Sequence, residues 1–200
     1  MKTYTNPENA LMQPVGLITV QDYHAMVDSG AVDESVELLE GMLVPKMGQN
    51  SRHSTTIQLG THLLIRAAPR GWSVRAQAPI TTLDSEPEPD TAIVAGTLLD
   101  YASRHPSPNE VGLVIEVSDS TLSRDCGVKS RIYAHAGIPV YWIANLIDDV
   151  VEERRDPVDG EYTSQEAFRT NEAIPLILRD SAITRIAVRD LLAPRLPRTA

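Results

Sequence analysis

One short segment restricts the fold of this chain more than any other. Residues 111–117 read Val-Gly-Leu-Val-Ile-Glu-Val and form the most apolar run in the sequence. Such a run is typical of a central β-strand whose two faces are both covered. The run also contains Glu116, and a lone carboxylate is costly to bury unless it is paired, protonated or bound to a cation. The segment therefore predicts an interior strand that presents one carboxylate to a partner.

The pattern around this strand predicts an α/β chain. Residues 122–136 are expected to form a helix that ends at Gly137, and residues 140–144 form the next strand, which gives a strand–helix–strand unit. Outside this unit the sequence predicts a helix over 19–29, a hairpin over 36–44 that turns at Gly41, a helix over 50–68, strands at 72–80, 81–83, 90–95, 150–154, 161–168 and 174–178, and a short final segment near 188–192.

The length and composition fit one folded domain. The chain has 200 residues, of which 42% are hydrophobic and 22% are charged, as in an ordinary globular protein. No linker divides it. We expect a single domain over 17–192, a flexible N-terminal arm over 1–16 and a flexible tail over 193–200.

The charge and the cysteine content argue against several classes of protein. The formal net charge is −9, from 27 acidic and 18 basic side chains, which argues against a protein held on nucleic acid or on an anionic membrane by bulk charge. The single cysteine, Cys126, cannot form an internal disulfide, which favours a reducing compartment. No stretch approaches the roughly 18 apolar residues of a membrane helix, so we expect no membrane partner. These observations predict a cytoplasmic protein.

Three acids and one lysine are candidates for a catalytic site. Asp90 follows the sequence Glu-Pro-Glu-Pro, whose prolines hold the backbone rigidly at the start of a strand. Glu37 lies in the first hairpin, Glu116 lies in the apolar strand, and Lys129 follows Asp125 by one helical turn. Carboxylates that converge from adjacent strands suit Mg²⁺, which polarises a phosphoryl oxygen and lowers the pKa of a bound water. The set fits the hydrolysis of a phosphodiester.

Each of these residues also has a purely structural interpretation. Glu116 can be a buried acid paired with an arginine or with Lys129, and Asp90 can cap a turn. Glu37 can be a solvated strand residue. Lys129 and Asp125 can form an ordinary helical ion pair worth about 0.2–0.5 kcal/mol. The residue types alone leave these alternatives open.

An ordered set of motifs makes the interpretation more specific. In chain order, the motifs are Val36-Glu37-Leu38-Leu39-Glu40-Gly41-Met42-Leu43, Glu88-Pro89-Asp90-Thr91-Ala92-Ile93-Val94, Leu113-Val114-Ile115-Glu116-Val117-Ser118, Asp125, Lys129, Tyr133-Ala134, Ala136-Gly137-Ile138-Pro139 and Tyr141-Trp142-Ile143. Together they resemble the Uma2 family, which is similar to the PD-(D/E)xK nuclease superfamily, the fold of many restriction endonucleases. The likeness runs from Leu17 to Trp142 and is weaker beyond.

The resemblance implies a fold and a set of site residues. The fold is α/β (α+β), with a restriction-endonuclease-like central mixed β-sheet flanked by helices, an N-terminal helix and a β-hairpin. Asp90, Glu116 and Glu37 are the implied metal ligands, and Mg²⁺ is the implied metal, with Mn²⁺ as its substitute. Lys129 is the implied lysine that positions or deprotonates the attacking water. The superfamily's own lysine position, two residues after the second acid, holds Ser118 here.

The resulting hypothesis is a Mg²⁺-dependent DNA endonuclease. His53 and Gln77 fit family positions and, with Asp125, are accessory candidates, although a histidine at the start of a helix is more often a surface or capping residue. DNA is the expected transient partner, and a homodimer is expected by analogy with nucleases that cut both strands. A DNA substrate requires a basic rim, for which the candidates are Arg52, Arg66, Arg75, Arg104, Arg124 and Arg131.

Two other functions are compatible with the same residues. One is a catalytically inactive module that retains the nuclease fold for binding or regulation, because one fold can host many functions. The other is an unrelated phosphohydrolase that acts on a small molecule. The position of Lys129 relative to Asp90 and Glu116 discriminates between the nuclease and the inactive module.

Overall fold

The computed structural model describes residues 16–33, 35–179 and 181–195. The predicted arm, except for Gly16, and residues 196–200 of the predicted tail lie outside the described residues. The helices are α1 (Val20–Asp28), α2 (Ser51–Ala67), α3 (Leu122–Arg124), α4 (Ser130–His135) and α5 (Val188–Leu191). The strands are β1 (Val36–Leu39), β2 (Met42–Pro45), β3 (Trp72–Ala76), β4 (Thr91–Ala95), β5 (Val111–Ser118), β6 (Val140–Asn145), β7 (Val150–Val158), β8 (Glu161–Arg169), β9 (Ala173–Leu178) and β10 (Ser181–Ala187).

Six of these strands form one mixed sheet in the order β3-β4-β5-β6-β7-β8. Neighbouring strands are antiparallel except for β5 and β6, which run parallel and are connected through α3 and α4. The pairs β1–β2 and β9–β10 form two separate hairpins. The predicted mixed sheet with flanking helices is confirmed, and so is the strand–helix–strand unit. Within the described segments, no helix is long and apolar enough to span a membrane.

The central strand β5 is buried along its whole length and separates two layers of the core. Successive side chains of a strand point to opposite faces. Leu113, Ile115 and Val117 pack in the cluster that includes residues of α2 and α5. Val114 packs in the cluster that includes residues of α4. Glu116 follows Val114 by two positions, so its carboxylate faces the α4 layer.

The first two helices begin where the sequence predicts, because polar side chains cap them. Thr19 Oγ1 accepts a hydrogen bond from the Asp22 N–H at 3.1 Å, and the Asp22 carboxylate bonds back to the N–H of Thr19 in a capping box. Asn50 Oδ1 accepts from the His53 N–H at 3.0 Å. The second cap fixes His53 in the first turn of α2, where the residue is 7% exposed.

The helix predicted over 122–136 is not a regular α-helix. A π-helical turn over Asp125–Lys129, called the π-turn below, joins α3 to α4. The N–H of Ser130 donates to the carbonyl of Asp125, five residues earlier. We call α3, the π-turn and α4 together the interrupted helix. A π-turn accommodates one additional residue within a helix and is frequent at functional sites.

Two predicted strand segments are wrong. The strand expected over 72–80 ends at Ala76, and 81–83 is a loop. Gln77 has a φ of +48°, in the left-handed region that ends an extended strand. Its N–H donates to the carbonyl of Asp90 at 3.1 Å, which holds this turn beside β4. Strand β10 is an addition that the sequence does not predict.

The start of the predicted tail is packed against α2. Ala193 is 3% exposed, and its N–H donates to Thr56 Oγ1 at 3.1 Å. The Arg52 Nε donates to the carbonyl of Ala193 at 2.9 Å. These contacts extend the packed part of the chain to residue 193.

Candidate active site

Lys129 lies between two buried carboxylates. Its Nζ is 2.9 Å from Glu116 Oε1 and 3.2 Å from Glu37 Oε2, and none of the three side chains is more than 4% exposed. Glu116 belongs to β5, Glu37 to β1, and Lys129 is the last residue of the π-turn. A lysine from the interrupted helix therefore reaches the carboxylate of the central strand, although Ser118 holds the position where the superfamily places its lysine.

Glu37 is surrounded by donors. Its Oε2 also accepts from the N–H of Glu88 at 3.2 Å. Its Oε1 lies 3.7 Å from Nη1 of Arg124. Both oxygens thus face positively polarised groups of the chain itself. These contacts tie the β1–β2 hairpin to the interrupted helix.

Asp90 directly precedes β4 and is oriented by the backbone of β5. Its Oδ2 accepts from the N–H of Val117 at 2.7 Å, and Nε2 of His53 lies 3.4 Å from the same oxygen. Burial acts to lower the pKa of His53, but the hydrogen bond to Asp90 and the charges of Asp90, Asp119 and Asp125 together outweigh burial and raise this pKa above its ordinary value. The amide and the imidazole together hold the Asp90 carboxylate in one orientation.

Asp125, the first residue of the π-turn, has hydroxyl partners. Its Oδ2 accepts from Ser118 Oγ and from Thr121 Oγ1, both at 2.6 Å. Among the ion pairs of the described residues, none joins Asp125 to Lys129, which turns to Glu116 instead. The ordinary helical pair that the sequence left open is therefore not formed.

One cavity of about 60 Å³ collects the candidate residues. Gln77 lines it from the turn that ends β3. The cavity is lined by all seven residues that the sequence singles out, namely Glu37, His53, Gln77, Asp90, Glu116, Asp125 and Lys129.

Burial and the charge of the paired group act in opposite directions on the pKa values of Glu116 and Lys129. Desolvation raises the pKa of Glu116 to about 8 against the opposing charge of Lys129, and the neighbouring acids add to the rise. Burial acts to lower the pKa of Lys129, but the charges of Glu116 and Glu37 outweigh burial and raise it. The Lys129 ammonium is therefore charged at neutral pH.

Sequence reasoning assigns no role to Tyr133, Lys46 or Glu88. The hydroxyl of Tyr133 donates to Glu116 Oε1 at 2.7 Å, and burial raises the pKa of this tyrosine well above its ordinary value, so the hydroxyl stays a donor. Lys46 Nζ lies 2.7 Å from Glu88 Oε2, and both residues line the cavity and an adjoining groove of about 1000 Å³. The sequence contains one indication of a role for Tyr133: it follows Lys129 by four residues, so the two side chains share a helix face.

The expected basic rim is not formed at the cavity. Among the six arginines predicted for it, only Arg124 lines the cavity. The guanidinium groups of four others lie against partners within the chain: Arg52 donates to Ala193 and Leu146, Arg75 and Arg104 cover the ring of Tyr101, and Arg131 pairs with Glu40. Arg66 lines a separate pocket. The prediction is wrong because proximity in sequence to a site residue does not set the direction of a long side chain.

The donors present fit Mg²⁺. This ion is bound through one or two carboxylates together with waters and substrate phosphates, and not by a cage of protein ligands. Asp90 and Glu116 supply two carboxylates in one cavity. In the described part of the chain, no three His, Cys, Asp or Glu side chains are arranged to hold a metal. The resemblance implies that Glu37 is a third metal ligand. This role stays a prediction, because Glu37 contacts Lys129 and Arg124 here.

The fold and the site together define a restriction-endonuclease-like protein. One acid precedes β4, the second lies in the neighbouring strand β5, and a lysine contacts the second acid. The family model of Uma2, described as "Putative restriction endonuclease", matches residues 20–185. The chain therefore belongs to the Uma2 family, as its motifs predict.

The comparison with solved structures supports the same fold. The chain is similar to the crystal structure of a "putative nuclease belonging to DUF820" from Anabaena variabilis ATCC 29413, with a TM-score of 0.65 and 14% sequence identity. The match covers 87% of this chain and 97% of that one. At this identity the likeness shows the fold alone. No curated protein matches the chain.

Proposed function

We propose that the protein is a Mg²⁺-dependent endonuclease that hydrolyses phosphodiester bonds in DNA. The observation that carries the proposal is the position of Lys129, whose Nζ is 2.9 Å from Glu116 Oε1 in the cavity that Asp90 also lines. A purely structural ion pair requires neither a second acid nor a cavity beside it. The description of the family and the printed name of the Anabaena protein point to the same class of reaction.

Asp90 and Glu116 would hold the Mg²⁺. When bound there, the ion polarises a phosphoryl oxygen and lowers the pKa of a bound water. The chain itself fixes the two carboxylates, since the Val117 N–H orients Asp90 and the Tyr133 hydroxyl orients Glu116. Ligands whose orientation is held by further hydrogen bonds bind a metal more tightly than mobile ones.

Lys129 and Arg124 would act on the phosphate as donors. Because its pKa is raised, Lys129 remains an ammonium, so it orients a water or a phosphate oxygen by donating and does not accept a proton. The Arg124 Nε is buried and has no hydrogen-bond partner in the described residues, although the side chain lines the cavity. The guanidinium of Arg124 would pair with an incoming phosphate oxygen.

Cleavage of supercoiled plasmid in Mg²⁺ or Mn²⁺ tests the proposal. Asp90→Asn and Lys129→Met should each lower the rate about 100-fold, the usual effect of losing a group that acts on the reacting atoms. Glu110→Gln removes a carboxylate that pairs with Arg104 away from the cavity and should leave the rate unchanged. Circular dichroism verifies that each variant is folded. Undiminished cleavage by both cavity variants would exclude this site.

A nuclease-fold module that binds without hydrolysis is the second candidate. The missing basic rim and the net charge of −9 favour it, because both weaken the hold on a polyanion. Such a module would bind Mg²⁺ in a calorimetric titration and yet cleave no plasmid under any metal condition. The contact between Lys129 and Glu116 favours the nuclease.

The proposal includes a homodimer that acts in the cytoplasm. A duplex has two strands, and the cavity of one chain can serve one strand at a time. Light scattering on the protein with and without a short duplex tests the assembly. A monomer that cuts both strands of a plasmid in one binding event would contradict this part of the proposal.

A further inference from the structure

The interruption of the helix coincides with the residues that reach the cavity. Asp125 and Lys129 are the first and the last residues of the π-turn, and both line the cavity. The π-turn absorbs one additional residue, while α4 keeps its buried face, with Ile132 and Tyr133, on the sheet. In a regular α-helix one residue corresponds to a rotation of about 100°. Without the π-turn, either α4 would leave the sheet or the cavity residues would lose their partners.

The carbonyls of the π-turn are held by side chains from the sheet. The hydroxyl of Tyr141, on β6, donates to the carbonyl of Asp125 at 3.0 Å. Nη1 of Arg154, on β7, donates to the carbonyl of Cys126 and to Ser130 Oγ, both at 2.8 Å. Tyr141 is 0% exposed and Arg154 is 8% exposed. A buried tyrosine and a buried arginine thus donate hydrogen bonds to two consecutive carbonyls of one turn.

The side chains of the π-turn are held from the other end of the sheet. Ser118, the last residue of β5, donates to Asp125 Oδ2 at 2.6 Å. The turn is therefore fixed at its carbonyls by Tyr141 and Arg154 and at its first side chain by Ser118. Lys129, at the opposite end of the turn, contacts Glu116 in this geometry.

We propose that Tyr141 and Arg154 are positioning residues that hold the π-turn and thereby place the ammonium of Lys129 on Glu116. Neither residue lines the cavity, so neither touches a substrate in it. Their effect on the reaction passes through the backbone of the turn. The catalytic part of this inference rests on the proposed function, in which Lys129 serves the hydrolysis.

The sequence offers a matched pair of variants for the test. Tyr141→Phe removes the hydroxyl that holds the π-turn. Tyr162→Phe removes a hydroxyl that is also buried and donates to the carbonyl of Ile138 at 2.9 Å, beyond the end of α4. Each variant loses one buried hydrogen bond to a carbonyl and keeps its ring, so both should lower the melting temperature to a similar extent. Only the first should alter the π-turn.

Lysine-selective ¹⁵N labelling reports on Lys129 without any need for activity. The chain has three lysines, Lys2, Lys46 and Lys129, so the spectra are simple to assign. In the wild type, the buried Lys129 ammonium should be protected from exchange with water and give its own signal. Tyr141→Phe should shift the Lys129 amide and abolish the ammonium signal, whereas Tyr162→Phe should leave both unchanged. Identical Lys129 signals in the two variants would overturn the positioning role.

The arginine gives a second, independent pair. Arg154→Met should change the Lys129 signals as Tyr141→Phe does, whereas Arg155→Met, which removes the partner of Glu153 on the same strand, should not. In plasmid cleavage, Tyr141→Phe and Arg154→Met should lower kcat roughly tenfold to hundredfold with KM unchanged. If the wild type cleaves nothing while the Lys129 signals respond as described, the proposed hydrolysis fails and the structural role of Tyr141 and Arg154 is supported.

Discussion

If Glu116 holds the proposed metal, its ionisation couples metal binding to pH. Burial raises its pKa from an ordinary value of 4.5 to about 8. Between these two values the folded protein holds a proton that the unfolded chain releases, so the stability contributed by this group declines as the pH rises through that window. A carboxylate must be ionised to bind a metal. The proposed binding of a metal near neutral pH would therefore displace this proton.

The first prediction follows from that displacement. Binding of Mg²⁺ near pH 6.5 should release about one proton, and binding near pH 9 should release almost none. Calorimetric titrations in two buffers of different ionisation enthalpy measure the number of protons. Glu116→Gln should abolish the release together with most of the affinity, and Glu110→Gln should preserve both. Equal proton release at the two pH values would contradict a Glu116 ligand.

Glu37 allows a second prediction at the same scale. Because its oxygens contact Lys129 and Arg124, Glu37→Gln should lower kcat about tenfold while it changes the dissociation constant of Mg²⁺ less than about threefold. Asp90→Asn, measured in parallel, should weaken Mg²⁺ binding by at least about tenfold. If Glu37→Gln weakens the metal as much as Asp90→Asn does, Glu37 is a third ligand, as the family resemblance implies.

At the scale of elements, the sequence predicts most of what local patterns control. The starts of α1 and α2 and the burial of β5 depend on neighbouring residues, and all three agree with the prediction. The π-turn could not be predicted, because the groups that stabilise it, on Tyr141 and Arg154, come from later strands. Strand β10 escaped prediction because a register shift between Ala182 and Thr184 breaks its alternation.

Packing on the central strand gives the third prediction. A Cβ at Gly112, in β5, would lie 2.6 Å from the ring of Trp72 and 2.8 Å from Leu178. Gly112→Ala should therefore lower the free energy of unfolding by about 1–3 kcal/mol. Gly127→Ala is the matched control, since nothing lies within 4 Å of a Cβ there and its φ is not positive. Urea denaturation measures both variants, and an equal loss in the two would refute the packing argument.

At the scale of the whole molecule, the site was predictable as a set of residues and the surface around it was not. Seven candidates chosen from the sequence line one cavity, because strand order and capping place their backbones. Five of the six arginines do not line the cavity, since a guanidinium at the end of a long side chain can turn to a partner elsewhere in the chain, as those of Arg52 and Arg131 do. The net charge of −9 therefore still argues against binding to nucleic acid by bulk charge, and few cations line the cavity to contact a polyanion.

The fourth prediction concerns the salt dependence of DNA binding. Besides Lys129, the cavity is lined by two cations among the described residues, Arg124 and Lys46. The logarithm of the binding constant should fall with the logarithm of the salt concentration with a slope of roughly −2, as expected for two phosphate contacts. Fluorescence anisotropy of a labelled duplex with Lys129→Met, which avoids cleavage, gives this slope. A slope steeper than about −5 would require a basic surface elsewhere on the molecule.

The separate β1–β2 hairpin has a consequence for the order of events during folding. Glu37 belongs to a two-stranded unit that shares no sheet with β5, yet it must meet Lys129 from the distant interrupted helix. Contacts between such distant parts of a chain form slowly, because a long loop has to close first. Until the hairpin docks, Lys129 lacks the contact with Glu37. If the protein cleaves DNA as proposed, cleavage should return during refolding only when the hairpin docks, after the main sheet has formed.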